Sequence, residues 1–164
     1  MTLIRDVDER DLPAITAIYN HYIVNTTVSF EEEVVGADVM RERVEKVAGA
    51  GLPWLVIEEN DVLGYAYASH WSPRPAYRHT VEVTVYLDPA ATGRGLGTRI
   101  YQALFERLRG LGVRIVVAGI TLPNPASVTL HEKLGMQPAG RFNEVGFKFD
   151  RWLDVGYWHG KLYD

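Results

Sequence analysis

The chain has 164 residues, 47% hydrophobic and 23% charged, with no cysteine and a formal charge of −4 at pH 7. This balance predicts one globular domain over residues 1–164 with a sizeable core, and its acidic sign excludes a generic nucleic-acid or anionic-membrane binder. Without cysteine there is no disulfide, no thiolate metal ligand and no cysteinyl acyl-enzyme. Met1–Asp6 lacks an apolar signal core and no run is long enough to span a membrane, so a cytoplasmic protein is expected.

Leu3–Arg5 reads as a short strand. Asp11-Leu12-Pro13 predicts a helix start, with aspartate as cap and proline in the first turn. Leu12, Ile15, Ile18, Tyr19 and Tyr22 then follow at helical spacing, and Asn25-Thr26-Thr27 ends the pattern. A second helix is predicted over 37–48, with Val39, Met40, Val44 and Val47 inward and Gly49 and Gly51 closing it. Pro53–Glu59 and Leu63–Trp71, split by Glu59-Asn60-Asp61, read as a hairpin. The Arg74–Arg78 segment leads to a strand over 80–87, rich in β-branched residues and stopped by Asp88-Pro89. Gly93, Gly95 and Gly97 precede a helix over 96–108 that carries Ile100, Leu104 and Leu108 on one stripe. Val113–Ile120 reads as a buried strand, Ala126–Leu134 as a short helix closed by Gly135, and strands near 139–149 and 153–162 finish the chain. No repeat, low-complexity tract or linker interrupts this order, which predicts a mixed α/β sheet flanked by helices.

The strand–glycine loop–helix unit at 81–99 is the most informative feature. Such a unit presents backbone N–H groups at a helix N-terminus, where the dipole favours an anion and the missing side chains permit close approach. A phosphate or pyrophosphate is therefore expected, although glycine also suits any tight connection before a helix. Two common phosphate motifs do not fit. No Lys-Ser or Lys-Thr follows a glycine, as a P-loop requires, and the run reads Gly-x-Gly-x-Gly where a dinucleotide fingerprint needs Gly-x-Gly-x-x-Gly. The next strand also ends in Ala118-Gly119-Ile120-Thr121, without the acidic residue that holds a ribose hydroxyl.

The element order and two motifs resemble the GNAT acetyltransferase superfamily. The first motif is Val85-Tyr86-Leu87 followed by Gly93-Arg94-Gly95-Leu96-Gly97; the second runs from Asn124-Pro125-Ala126-Ser127 through His131-Glu132-Lys133 to Leu134-Gly135-Met136. Thr80-Val81-Glu82 and the segment Gly146-Phe147-Lys148-Phe149-Asp150-Arg151-Trp152-Leu153-Asp154 are similar to the phosphinothricin and methionine sulfoximine N-acetyltransferase branch. The resemblance implies an α/β GNAT fold: a mixed, mostly antiparallel sheet with splayed strands at an acetyl-CoA site. It implies that Gly93, Arg94, Gly95, Leu96, Gly97 and Thr98 wrap the pyrophosphate of acetyl-CoA. Val85, Tyr86 and Leu87 would supply main-chain groups, and Asn124 and Lys133 would contact the cofactor. One departure is Thr92, where relatives often carry arginine or glutamine. A homodimer through the aromatic C-terminal strands is implied as well.

Acetyl transfer to an amine needs a base for the ammonium, a donor for the developing oxyanion and a proton for the departing thiolate. Alternation along the 80–87 strand puts Val81, Val83, Val85 and Leu87 on one face and Glu82, Thr84 and Tyr86 on the other. Glu82 is a lone carboxylate in an apolar strand, costly there unless it lines a polar cleft, and the branch has a glutamate at this place. It is the candidate base, directly or through a water; an ordinary solvent-facing strand residue is the alternative. His131 is the candidate acid, standing where many relatives have tyrosine, with packing between helix and sheet as the alternative and Tyr86 or Tyr101 as substitutes. A backbone N–H near Tyr86 or Leu87 is the expected oxyanion donor. Ser72, Pro73, Arg74, Glu82, Val83 and Thr84 align with substrate-contacting segments of the branch. Arg74 and Arg78 are suited to a carboxylate or phosphinate. Phe147, Phe149, Trp152, Tyr157 and Trp158 read as core or dimer contacts; Lys148, Asp150 and Arg151 have no chemical step; and His21, His70, His79 and His159 show no metal spacing. The expected activity is direct acetyl transfer from acetyl-CoA to the α-amino group of a small amino acid or analogue, without a metal. A polyamine, aminoglycoside or protein N-terminus as acceptor, or an acyl-CoA sensor without catalysis, are the other readings.

Overall fold

The computed structural model describes residues Met1–Asp164. Its elements follow the predicted order: β1 Leu3–Asp6, α1 Leu12–Asn25, α2 Ala37–Gly49, β2 Trp54–Glu59, β3 Asp61–His70, β4 Thr80–Leu87, α3 Leu96–Gly110, β5 Ile115–Leu122, α4 Pro125–Lys133, β6 Gln137–Lys148 and β7 Arg151–Lys161. The seven strands make one sheet in the order β1-β2-β3-β4-β5-β7-β6. All neighbours are antiparallel except β4 and β5, and α3 supplies the crossover that a parallel pair requires. No helix is long and apolar enough to cross a membrane.

Both faces of the sheet are covered, so β2 is buried on both sides. Leu55 and Ile57 point to the α3 face and Trp54 and Val56 to the α1 and α2 face. The predicted stripe Ile100, Leu104 and Leu108 is fully buried against Val81, Val83 and Val116. On the other face Ile15, Ile18, Ile23 and Met40 pack on Tyr65 and Trp54. Val39 departs from the expectation and is exposed. Met40, Val44 and Val47 share a line at i, i+4 and i+7, whereas Val39 falls beside Arg43 on the polar flank.

Asp11 is not the side-chain cap of α1. A 3-10 turn over Glu9–Asp11 comes first, capped by Asp8, and the Asp11 carboxylate instead takes both terminal nitrogens of Arg5 at 2.8 Å. β5 begins later than the hydrophobic run because Gly112, at φ 79°, turns the chain and the Val113 N–H still bonds the Leu108 carbonyl at the end of α3. The β6–β7 connection is a two-residue turn, Phe149-Asp150, with both residues left-handed at φ 52° and 57°.

Candidate active site

Pairing between β4 and β5 is confined to Thr80–Ile115, Val81–Val116 and Glu82–Val117; beyond that the strands separate. The parity of the backbone decides what faces the gap. The His79 carbonyl accepts from Arg114 and Ile115 on the β5 side, whereas the Asp88 N–H donates to Leu63 on the β3 side. Period two therefore turns the main-chain groups of Val83, Val85 and Leu87 into the gap, without a strand partner, while those of Tyr86 face β3 opposite Tyr65. Tyr86 thus differs from the expectation in its main chain, which pairs with β3 while its ring lines the groove; Val83, not Tyr86, turns its main-chain groups into the gap. Tyr22 Oη already donates to the Leu87 carbonyl at 2.5 Å, anchoring the end of β4 to α1.

At the mouth of the gap the glycine loop opens α3. Gly93 and Gly95 are left-handed, at φ 78° and 77°, and a Cβ added at either would meet nothing within 4 Å. Glycine there serves backbone direction and an open concave surface, whereas Gly97 serves packing, since its Cβ would come 3.3 Å from Leu130. No side chain caps α3, so the first-turn N–H groups of Leu96, Gly97 and Thr98 point outward together. Gly93, Gly95, Leu96, Gly97, Thr98 and Lys133 line one groove of about 480 Å³ with Val85, Tyr86, Leu87 and Asn124. These groups fit a diphosphate followed by an extended amide-bearing chain. Arg94 lies outside this lining and pairs with Glu59 at 2.8 Å. Asn124 Oδ1 caps α4 by accepting from the Ser127 N–H at 3.2 Å, which leaves its amide nitrogen for a ligand.

The groove continues into a cavity of about 590 Å³ that cuts through the sheet between β4 and β5. Glu82, Thr84 and Tyr86 line it from β4, Tyr101 from α3, and Ser127 and His131 from α4. Burial alone pushes the Glu82 carboxyl above its ordinary pKa; no charged or hydrogen-bonding group opposes it. His131 is 4% exposed. Its Nδ1 lies 2.7 Å from the Ser127 carbonyl, which can only accept, so Nδ1 carries the proton. Nε2, at 3.1 Å from Tyr101 Oη, therefore accepts from the tyrosine hydroxyl. Burial lowers the His131 pKa, the Ser127 bond opposing it in part, so the ring is neutral near pH 7. The imidazole consequently presents no free proton to the cavity. The Tyr101 hydroxyl, fully buried and held by burial well above its ordinary pKa, spends its proton on Nε2 in this arrangement and can donate elsewhere only by turning from the imidazole.

Glu82 also lines a second cavity of about 990 Å³ on the far side of the gap, with Trp71, Ser72, Tyr77, Arg141 and Tyr157. Ser72 is thus brought to the site, whereas Pro73 and Arg74 are exposed on the loop after β3 and line neither cavity. Residues that no sequence motif marked wall the central cavity: Tyr19, Val28, Ser29, Phe30 and Glu31. Tyr19 hydrogen-bonds Glu31, and Arg43 clamps the same carboxylate at 2.7 and 2.9 Å. Tyr19 was legible only as a member of an apolar helical face.

An anion cradle leading along an unpaired strand edge to a half-buried carboxylate and a buried hydroxyl fits an acyl-CoA-dependent transferase. The chain belongs to the GNAT acetyltransferases: residues 4–156 match the acetyltransferase (GNAT) domain. It is 46% identical over 154 residues to a phosphinothricin N-acetyltransferase of Alcaligenes faecalis, covering 93% of this chain and 78% of that one. It is 41% identical over 156 residues to an L-methionine sulfoximine/L-methionine sulfone acetyltransferase of Pseudomonas aeruginosa, covering 94% and 91%. A phosphinothricin acetyltransferase of Sinorhizobium meliloti, solved in complex with acetyl-CoA, superposes with a TM-score of 0.94 at 36% identity over 98% of this chain and 88% of that one. The protein is an acetyl-CoA-dependent N-acetyltransferase.

Proposed function

We propose that the acceptor is the α-amino group of a small amino acid or analogue of the phosphinothricin, methionine sulfoximine or methionine sulfone type. The observation that carries this reading is Glu82, a half-buried carboxylate without a protein partner that lines both the cofactor-side and the far-side cavity. Relatives that acetylate such compounds support it at 46% and 41% identity. Bound acetyl-CoA supplies the thioester that is attacked. The first-turn N–H groups of Leu96, Gly97 and Thr98, with Lys133, hold its diphosphate, and the gap-facing backbone groups of Val83 and Val85 with the Leu87 N–H align its amide-bearing arm. Glu82 takes the proton of the acceptor ammonium, directly or through one water, which frees the nitrogen lone pair. Tyr101 gives its hydroxyl proton to the departing sulfur once the hydroxyl turns from His131 Nε2, which holds it between turnovers, and the tyrosinate then regains a proton from solvent. His131 is thereby a positioning residue, with the acid role moved to Tyr101. With no cysteine in the chain, transfer within a ternary complex is the simplest scheme.

Two further assignments belong to the same reading. A cytoplasmic location follows from the donor, a metabolite of that compartment. A homodimer through β6 and β7 is supported by Phe142 and Phe147 on the edge strand β6 and Trp152 on its neighbour β7, which stand 60%, 52% and 64% exposed. Light scattering that finds only monomer would remove it. The acceptor is tested by following CoA release from acetyl-CoA with phosphinothricin, methionine sulfoximine, methionine sulfone, the common amino acids, a polyamine and an aminoglycoside. Release confined to the amino acids and their analogues is expected; release only with the cationic amines would overturn the acceptor, and silence with acetyl-CoA still bound would favour a sensor.

A further inference from the structure

The Lys148 side chain is 2% exposed, yet it has no carboxylate in contact. Its ammonium donates to three backbone carbonyls instead: Ile23 at 2.8 Å, Thr26 at 2.9 Å and Ser29 at 2.7 Å. Three donors meet three acceptors, so the group is saturated although buried. Two of those carbonyls belong to the end of α1 and the residue after it, where a helix gathers negative partial charge, and the third lies in the following loop. The acidic side chains whose charge acts on Lys148 are Glu32 and Glu31, further along that loop.

A second contact joins the same two segments. Gly146, two residues before Lys148 on the same face of β6, has no room for a side chain, since a Cβ there would lie 2.4 Å from the Phe30 ring. Its φ is not in the left-handed region, so the requirement for glycine comes from Phe30 alone. The β6–β7 hairpin thus grips the 26–31 loop twice, by the ammonium and by a notch. That loop is a wall of the central cavity, to which it brings Val28, Ser29, Phe30 and Glu31 opposite Glu82 and Thr84.

We infer that Lys148 and Gly146 are positioning residues for the acceptor: the hairpin sets the distance between the 26–31 wall and the β4 carboxylate. This rests on the proposed transfer to an amino acid acceptor. The two substrates are separable, because the cofactor groove is built from β4, the glycine loop, α3 and α4, with only Tyr22 from α1 and only Val28 from the 26–31 loop. Loss of the grip therefore damages use of the acceptor and spares use of acetyl-CoA.

The test compares Lys148→Met, Gly146→Ala and wild type in steady-state acetylation of methionine sulfoximine, with amide hydrogen exchange measured on the same three proteins. Both variants are expected to lower kcat/KM for methionine sulfoximine about tenfold or more while KM for acetyl-CoA stays within about twofold. Exchange is expected to rise at 26–31 and to stay unchanged in α3. Gly146→Ala leaves Lys148 in place, and Phe30→Ala added to it removes the clash, so the double variant should regain part of what the single one lost. Equal decline toward both substrates, or a double variant worse than Gly146→Ala, would reduce the two residues to general stability and overturn the inference. If wild type does not acetylate methionine sulfoximine, the acceptor reading fails; unchanged exchange at 26–31 overturns the grip itself whatever the acceptor.

Discussion

Glu82→Gln separates catalysis from stability in opposite directions. The substitution keeps the shape of the side chain and removes the one carboxylate that lines both cavities. General-base help is worth about 10² to 10⁴ in rate, or about 3–5 kcal/mol of transition-state stabilisation, so kcat/KM should fall by that factor. In wild type the reaction should lose rate as the pH falls through the Glu82 pKa, which burial places above that of an exposed glutamate. Stability should move the other way. A carboxyl whose folded pKa is raised favours the protonated folded state, so its contribution is fully present below the unfolded pKa and is lost as pH rises through the folded pKa. The glutamine side chain of the variant does not titrate, so the variant should be at least as stable as wild type near neutral pH and lack that slope. The rate assay is CoA release followed with a thiol reagent, which the cysteine-free chain does not consume; stability is read by urea unfolding from pH 4 to 8. Full turnover by Glu82→Gln at every pH would refute the base.

Tyr101→Phe should lower kcat about 10²-fold with little change in KM for acetyl-CoA, because the proton source for the departing sulfur is lost. His131→Ala should cost less, and a larger loss than for Tyr101→Phe would return the proton to the imidazole. Gly95→Ala forces a side chain into φ 77° and should cost about 1–2 kcal/mol of stability while weakening acetyl-CoA binding measured by calorimetry. Burial pushes the Asp11 carboxyl up, but hydrogen bonds from Arg5 and the Asp8 N–H outweigh it and hold its pKa below the ordinary value. That stability is present above the unfolded pKa and is lost as pH falls through the folded one; Asp11→Asn should cost about 3 kcal/mol in urea melts at pH 7 and flatten the acid limb.

The elements were legible where one periodicity ran unopposed. The Ile100–Leu104–Leu108 stripe and the alternation of β4 needed only local spacing, and Glu82 stood out because its neighbours are apolar. The glycines marked the α3 N-terminus but not their separate duties, since Gly93 and Gly95 turn the chain while Gly97 admits Leu130. What sequence spacing could not carry was contact between distant segments. Lys148 meets Ile23 across 125 positions, and Tyr101 meets His131 across 30. Asp11 illustrates the same limit: it has the chemistry of a helix cap, and a guanidinium from β1 claimed it first. The proton on His131 was equally out of reach, being assigned by the Ser127 carbonyl one helical turn earlier.

The open edge of β4 leaves the sheet unfinished by one partner along Val83, Val85 and Leu87. A donor molecule lying there acts as a removable strand, and ligand that binds only the folded chain adds RT ln(1 + [L]/Kd), about 2.7 kcal/mol at a hundredfold excess over Kd. The melting temperature of this enzyme is therefore a function of its donor's concentration.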